Sequence, residues 1–318
     1  MKVSVSALRH CIRTVLGDEE AAQRSPENMK KIIKMYLKQS FHPIFKLNEN
    51  ICKRLSHFFR KEKNEKEIMK HVRNSQNDVC LLHTLRNILC KKEKKAEIGD
   101  RELSRINDLY YELKLVQKKM SPFFQYLDLG CSEGKITKAM IHALSLRPDQ
   151  AFACDIFDQP PEPEFSFRLN TPTHIPYETH QFDFVTLFMS AHHFSHMDDM
   201  MKELLRVLKP GGYVLIREHN LTSADDEIFY NIIHALYACV INSEMTPYDF
   251  VESFIHTDQT SRYYSKYYSI ADWIRLFRGY GFMDMRTGAH GFYDKYNRIY
   301  KFDQMNGFYQ LFQLFQLQ

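Results

Sequence analysis

Phe123-Phe124-Gln125-Tyr126-Leu127-Asp128-Leu129-Gly130-Cys131-Ser132-Glu133-Gly134 is a short apolar run that breaks into a glycine-containing turn. A compact apolar run bounded by turn residues reads as a buried strand. Residues 136–146 follow with apolar positions at helical spacing, so the turn joins a strand to a helix. The same alternation continues along the chain. Residues 151–156 and 182–189 are compact apolar runs, and 197–208 form a helix stopped by Lys209-Pro210-Gly211-Gly212. Residues 213–217 make a further strand, and 270–277 a helix leading through Gly279-Tyr280-Gly281 into another. Strands that alternate with helices imply an α/β domain, a parallel sheet with helices on both faces.

Residues 1–120 have a different texture. Ser25-Pro26-Glu27 is a helix start, with an N-cap serine and proline at the first helical position. Helices are expected over 48–59, 79–89 and 101–119, and the charged run 60–70 reads as a solvated helix face. No strand is expected here, so the chain divides into an α-helical N-terminal domain, 1–120, and an α/β domain, 121–318. The two parts carry opposite charge. Residues 1–120 hold 27 Lys+Arg against 15 Asp+Glu, a net +12; the rest hold 16 against 24, a net −8. Lys91, Lys92, Lys94 and Lys95 form the densest basic cluster. The seven cysteines include no C-x-x-C pair and read as reduced thiols, which predicts a cytoplasmic or nuclear protein. No apolar run reaches the ~18 residues that a membrane span needs.

Four features carry chemistry, in order. Glycines in the turn after Asp128 let the backbone approach a ligand closely, and the helix behind it offers free N–H groups. Asp155 ends the next strand, 21 positions after Gly134. An acid about 20 residues past such a turn can accept hydrogen bonds from ribose hydroxyls. Residues 182–194 carry Met189, Ser190, Ala191, His192 and His193 to the carboxyl edge of the sheet, where ligands of such folds bind. Residues 203–216 form a helix, a Lys-Pro-Gly-Gly turn and a strand.

Together D-L-G-C-S-E-G, C-D, F-D-F-V-T-L-F-M-S-A-H-H-F and R-V-L-K-P-G-G-Y-V-L-I resemble the class I S-adenosylmethionine (SAM)-dependent methyltransferases. The resemblance is close over 124–217 and weaker out to 294. It implies a seven-stranded, mostly parallel sheet of order 3-2-1-4-5-7-6 with an antiparallel last hairpin. It also implies SAM as cofactor, held by Asp128, Gly130, Ser132, Gly134, Asp155, Asn170 and Met189. Two of these depart from the family pattern: Ser132 stands where the middle glycine is usual, and Asn170 where an acid is usual.

The sulfonium methyl is transferred by in-line displacement, so much of the catalysis is positioning. A base is needed only where the acceptor must lose a proton. Candidate catalytic residues are His192, His193, Glu218 and His219, with Arg217-Glu218-His219-Asn220 alternatively a polar loop. No metal is expected: His192, His193 and His196 form H-H-x-x-H, but adjacent side chains diverge on a strand end and no further ligand completes a set. The basic extension and the Tyr/Arg/Lys run 261–268 predict RNA as substrate, the mRNA cap among its forms. A small-molecule methyltransferase and a non-catalytic SAM-fold subunit are the alternatives. The tail 307–318 reads as a packing or dimer helix, so a homodimer or a partner subunit would use it or the N-terminal helices.

Overall fold

The computed structural model describes residues 42–60, 62–89, 106, 109–158, 164–242, 244–255, 263–285, 301–303 and 308–318. The expected helix start at Ser25-Pro26, the lysine cluster 91–95 and Arg262 lie outside them. The described helices are α1 (Glu49–Phe59), α2 (Glu65–Asn74), α3 (Asp78–Leu89), α4 (Tyr110–Gln117), α5 (Lys135–Leu144), α6 (Met197–Val207), α7 (Ala224–Leu236), α8 (Pro247–Ile255) and α9 (Ile270–Gly279). The strands are β1 (Tyr126–Leu129), β2 (Ala151–Asp155), β3 (Ser166–Leu169), β4 (Phe182–Phe188), β5 (Leu208–His219), β6 (Phe282–Asp284), β7 (Lys301–Asp303) and β8 (Phe308–Leu317).

By compactness the described chain forms two units. One gathers α1–α3 with α7 and α8; the other gathers residues 106–222, 265–285 and 308–318. In the first, the Asn48 side chain caps α1 by accepting from Ile51 N at 2.9 Å. Buried Asp78 accepts from the backbone N–H of Ile44 at 2.7 Å and contacts His42 Nδ1 at 2.6 Å. Arg54 pairs with Asp226 at 2.9 Å and lies over the Phe229 ring, while Asn48 and Asn50 donate to Asp225. The charged run 60–70 is not wholly a solvated face. Its helix starts at Glu65, and Ile68 and Met69 turn inward because an apolar pair on one face of a charged helix has a core to reach.

The second unit is built on the sheet. Its strand order is β3-β2-β1-β4-β5-β8-β6, with β7 paired to β8. Strands β1 to β5 pair in parallel, and β8 runs antiparallel to β5 and to β6. This is the expected order, with β8 in the seventh strand's place and a short hairpin strand added. Alternate residues supply the two faces. Leu127, Leu129, Val185, Leu187, Val214 and Ile216 face α6 and α9 through Met200, Leu204, Trp273 and Phe277. Tyr126, Phe184, Ala153 and Leu215 face α4 and α5 through Leu113, Val116, Met140 and Ile141. Covering both faces explains why these strands read as unbroken apolar runs.

Two expectations need correction. The tail is not a dimer helix: residues 308–317 are β8, inserted between β5 and β6, with Leu314 and Phe315 fully buried. Aromatic and branched residues in a short apolar run suit either period, and a strand buried on both faces hides the alternation that would have decided it. Residues 217–219 are not a polar loop either, since β5 runs to His219 and Arg217, Glu218 and His219 are all buried. Among the described residues no helix is long and apolar enough to cross a membrane.

Candidate active site

In this order β1 has β2 on one side and β4 on the other, so the chain departs in opposite directions after β1 and after β4. A crevice opens there at the carboxyl ends of the strands. The turn 130–134 occupies it. Gly130 has φ +81°, and a Cβ there would run into Ser190. Gly134 has φ +70°, and a Cβ there would meet the Phe165 ring. Gly130 N and Cys131 N both donate to Cys154 O, and the Ser190 hydroxyl donates to Leu129 O at 2.9 Å. Ser132 is exposed at φ +49°, a conformation that glycine adopts without strain.

The two acids of the turn are held differently. Asp128 is 1% exposed and accepts from Thr137 Oγ1 at 2.6 Å and Thr186 Oγ1 at 2.8 Å. Thr186 also bonds Tyr126 Oη at 2.8 Å. Burial raises the Asp128 carboxyl to about 6, and the two threonine bonds oppose the rise. Asp155 accepts from Ser132 N at 2.8 Å through one oxygen and from Phe157 N at 3.1 Å through the other. A carboxylate has about four lone-pair sites, so acceptor capacity remains.

Asn170, just past β3, is bound to the same edge by its N–H donating to Asp155 O at 2.9 Å. Its Nδ2 donates to Thr171 O, which fixes the amide, and its Oδ1 is buried with no hydrogen-bond partner. Around it stand exposed apolar side chains: Ile156 at 51%, Phe157 at 67% and Leu169 at 54%. An orphaned buried acceptor costs free energy unless a donor arrives. A carboxylate with spare lone pairs, a fixed lone acceptor and three open apolar side chains fit a nucleoside.

On the other side of the crevice, Met189 has φ +59° and donates through N to Arg217 O at 2.7 Å. The turn after it carries His192 and His193. His192 Nδ1 lies 2.6 Å from Glu218 Oε2, and Glu218 Oε1 accepts from Ala191 N at 2.8 Å and His192 N at 3.4 Å. The His193 and His219 ring centroids lie 4.0 and 5.1 Å from that of His192. The structure therefore brings all four candidate catalytic residues together, with Asp128, Gly130, Ser132 and Gly134 gathered on the neighbouring turn. Sequence reasoning missed Thr137 and Thr186, the partners of Asp128, and Tyr267. The Tyr267 ring lies 5.7 Å from His192 and 5.6 Å from His219. A threonine inside an apolar strand was the available sign, because a buried hydroxyl needs a partner.

Residues 127–216 match the family model described as "Methyltransferase domain". The chain belongs to the class I SAM-dependent methyltransferases. It is accordingly an enzyme of methyl transfer, with SAM as its methyl donor. No curated protein matches it. Among solved structures, the PH0226 protein of Pyrococcus horikoshii shares 15% identity, over 70% of this chain and 94% of that one, with a TM-score of 0.40. A SAM-dependent methyltransferase of Methanosarcina mazei shares 15%, over 64% and 96%, with a TM-score of 0.38. The YcgJ protein of Bacillus subtilis shares 14%, over 66% and 99%, with a TM-score of 0.39.

Proposed function

We propose that this methyltransferase acts on RNA, the capped 5′ end of mRNA being the first form to test. The supporting observation is the charge division: net +12 over residues 1–120 and net −8 over the remainder. We read 121–318 as the part that transfers methyl and 1–120 as a basic extension that meets phosphates. Electrostatic attraction to a polyphosphate chain supplies most non-specific affinity. Reduced cysteines agree with the cytoplasm or nucleus, where RNA is met.

SAM supplies an electrophilic methyl group on a sulfonium. In this reading Asp155 accepts from the ribose hydroxyls, and Asn170 Oδ1 accepts from the adenine amino group. Ile156, Phe157 and Leu169 cover the ring. Gly130 and Gly134 keep the turn close to the donor, Ser132 offers its exposed edge, and Met189 closes the side toward β4. Asp128 acts through the turn, because its carboxylate is occupied by Thr137 and Thr186.

RNA binding of the full chain, titrated with salt, tests the substrate. The log–log slope is expected at about −0.7 per phosphate neutralised on a single strand. Replacing Lys91, Lys92, Lys94 and Lys95 by Gln should flatten it with SAM affinity unchanged. Salt-independent binding, or an unaltered slope, counts against RNA. One observation favours a small-molecule acceptor instead. Tyr267 is buried and Tyr268 packs on Trp273 at 4.9 Å, so these two are not free platforms for bases.

A further inference from the structure

We propose that Glu218 is a positioning residue and that His192, which it orients, takes a proton from the methyl acceptor. The acceptor is then a hydroxyl or an amine N–H, not a ring nitrogen or thioether that carries no proton. This rests on the methyl-transfer reading above and narrows its substrate.

Glu218 has no face left for a substrate. It is 0% exposed, and its two oxygens are taken by Ala191 N, His192 N and His192 Nδ1. All three contacts fix one turn, residues 191–193. The 2.6 Å bond to Nδ1 selects the tautomer with its proton there, which makes Nε2 the basic nitrogen. The same turn is tied to the cofactor loop, since Ser190, two residues earlier, donates to Leu129 O. His192 thus stands at the carboxyl edge beside the turn that holds the methyl donor.

The pair is a poor investment for stability alone. Burying a histidine and a carboxylate costs desolvation that their attraction only partly returns, and apolar residues of like volume do as well. Perturbed, paired ionisable groups in a cleft mark functional sites more often than packing does. Within this unit the groups facing the ring are Glu218, His193, His219 and Tyr267, and Lys266 N donates to His192 O at 2.8 Å. At 1% exposure the ring is closed to bulk water, so its proton comes from a bound group.

The step balances. The acceptor's O–H or N–H proton passes to His192 Nε2 while the acceptor's electron pair forms the bond to the methyl carbon. The pair of the breaking carbon–sulfur bond goes to sulfur and neutralises the sulfonium. The imidazolium that results is held against the Glu218 carboxylate.

Two measurements on the full chain test this. In the first, nitrogen NMR of histidine-labelled protein reads the His192 tautomer and its titration. Nδ1 should carry the proton in the neutral ring, and Glu218→Gln should lower the midpoint by about 1 unit or more. A neutral ring protonated at Nε2, or a midpoint indifferent to Glu218→Gln, overturns the proposal. In the second, capped and uncapped RNA oligonucleotides are methylated with labelled SAM. Glu218→Gln and His192→Gln should each lower kcat by about a hundredfold or more, with SAM affinity by calorimetry held within about twofold. The acidic limb of kcat/KM should move to lower pH in Glu218→Gln and vanish in His192→Gln, and Glu218→Asp should recover part of the rate. Wild-type rates and profiles in the variants overturn the proposal. So does a loss of SAM affinity and thermal stability in step with kcat, which marks a structural pair, or a product methylated at a ring nitrogen. If the wild type methylates no RNA while the NMR coupling holds, the RNA reading fails and the pair stands.

Discussion

Asp155 takes the Ser132 and Phe157 amides and still has lone pairs for a ribose. Asp155→Ala should therefore weaken SAM binding by ~1–3 kcal/mol through hydroxyls left unpaired. Calorimetry with SAM or its demethylated product reads this directly, and unchanged affinity removes Asp155 from the ribose. Ser132, at φ +49°, carries strain that a glycine would not. A left-handed non-glycine residue costs ~1–2 kcal/mol, and the extra chain entropy of glycine returns ~0.5–1 of it. Ser132→Gly should raise the melting temperature slightly, and a fall would show that the serine is held by more than its backbone. Asp128 behaves unlike most paired carboxylates, because burial raises it from 3.8 to about 6. The folded state then keeps a proton that the unfolded chain releases, so stability falls as pH rises from about 4 to about 6. The loss is on the order of 3 kcal/mol, and Asp128→Asn should flatten that part of a denaturation-versus-pH curve. At this scale the sequence displayed Asp128, Gly130 and Asp155 through their spacing. It did not display that Asp128 faces Thr137 and Thr186, since those contacts exist only once β1 lies beside β4.

Among the elements, β1, α5, β2, β4, α6 and β5 were legible because each keeps one period between clear stops. The end of β5 and all of β8 were not. Polar Arg217, Glu218 and His219 suggested a loop, yet they lie in a strand where side-chain partners satisfy them. For β8, burial on both faces removes the polar alternation that separates strand from helix. The distinction has a consequence. A dimer helix could be removed and leave a folded monomer, whereas β8 supplies the antiparallel neighbour of both β5 and β6. Deleting 308–318 should abolish cooperative thermal unfolding, and Leu314→Ala, at a fully buried site, should cost ~2–5 kcal/mol. A stable, cooperative truncated chain would return the tail to a peripheral role.

For the whole molecule, composition located the charge division, but the chain's compact units are interleaved. Ile106, Leu109, Leu113 and Val116 belong to the core on one face of the sheet. Asn48, Asn50 and Arg54 hold Asp225 and Asp226 at the start of α7. Cutting at 121 strips both sets, so an isolated 121–318 fragment should melt early or fail to fold in a circular-dichroism scan. The role of the basic extension is therefore better read from lysine substitutions in the full chain than from truncation. The account as a whole stands on methyl transfer to RNA, and labelled transfer measures it most directly. Full-length protein is given labelled SAM with total RNA, capped RNA, protein and a lipid extract side by side. Label entering RNA, and lost in Asp155→Ala, is the predicted result; label entering only the lipid or protein sample, with RNA blank, contradicts it.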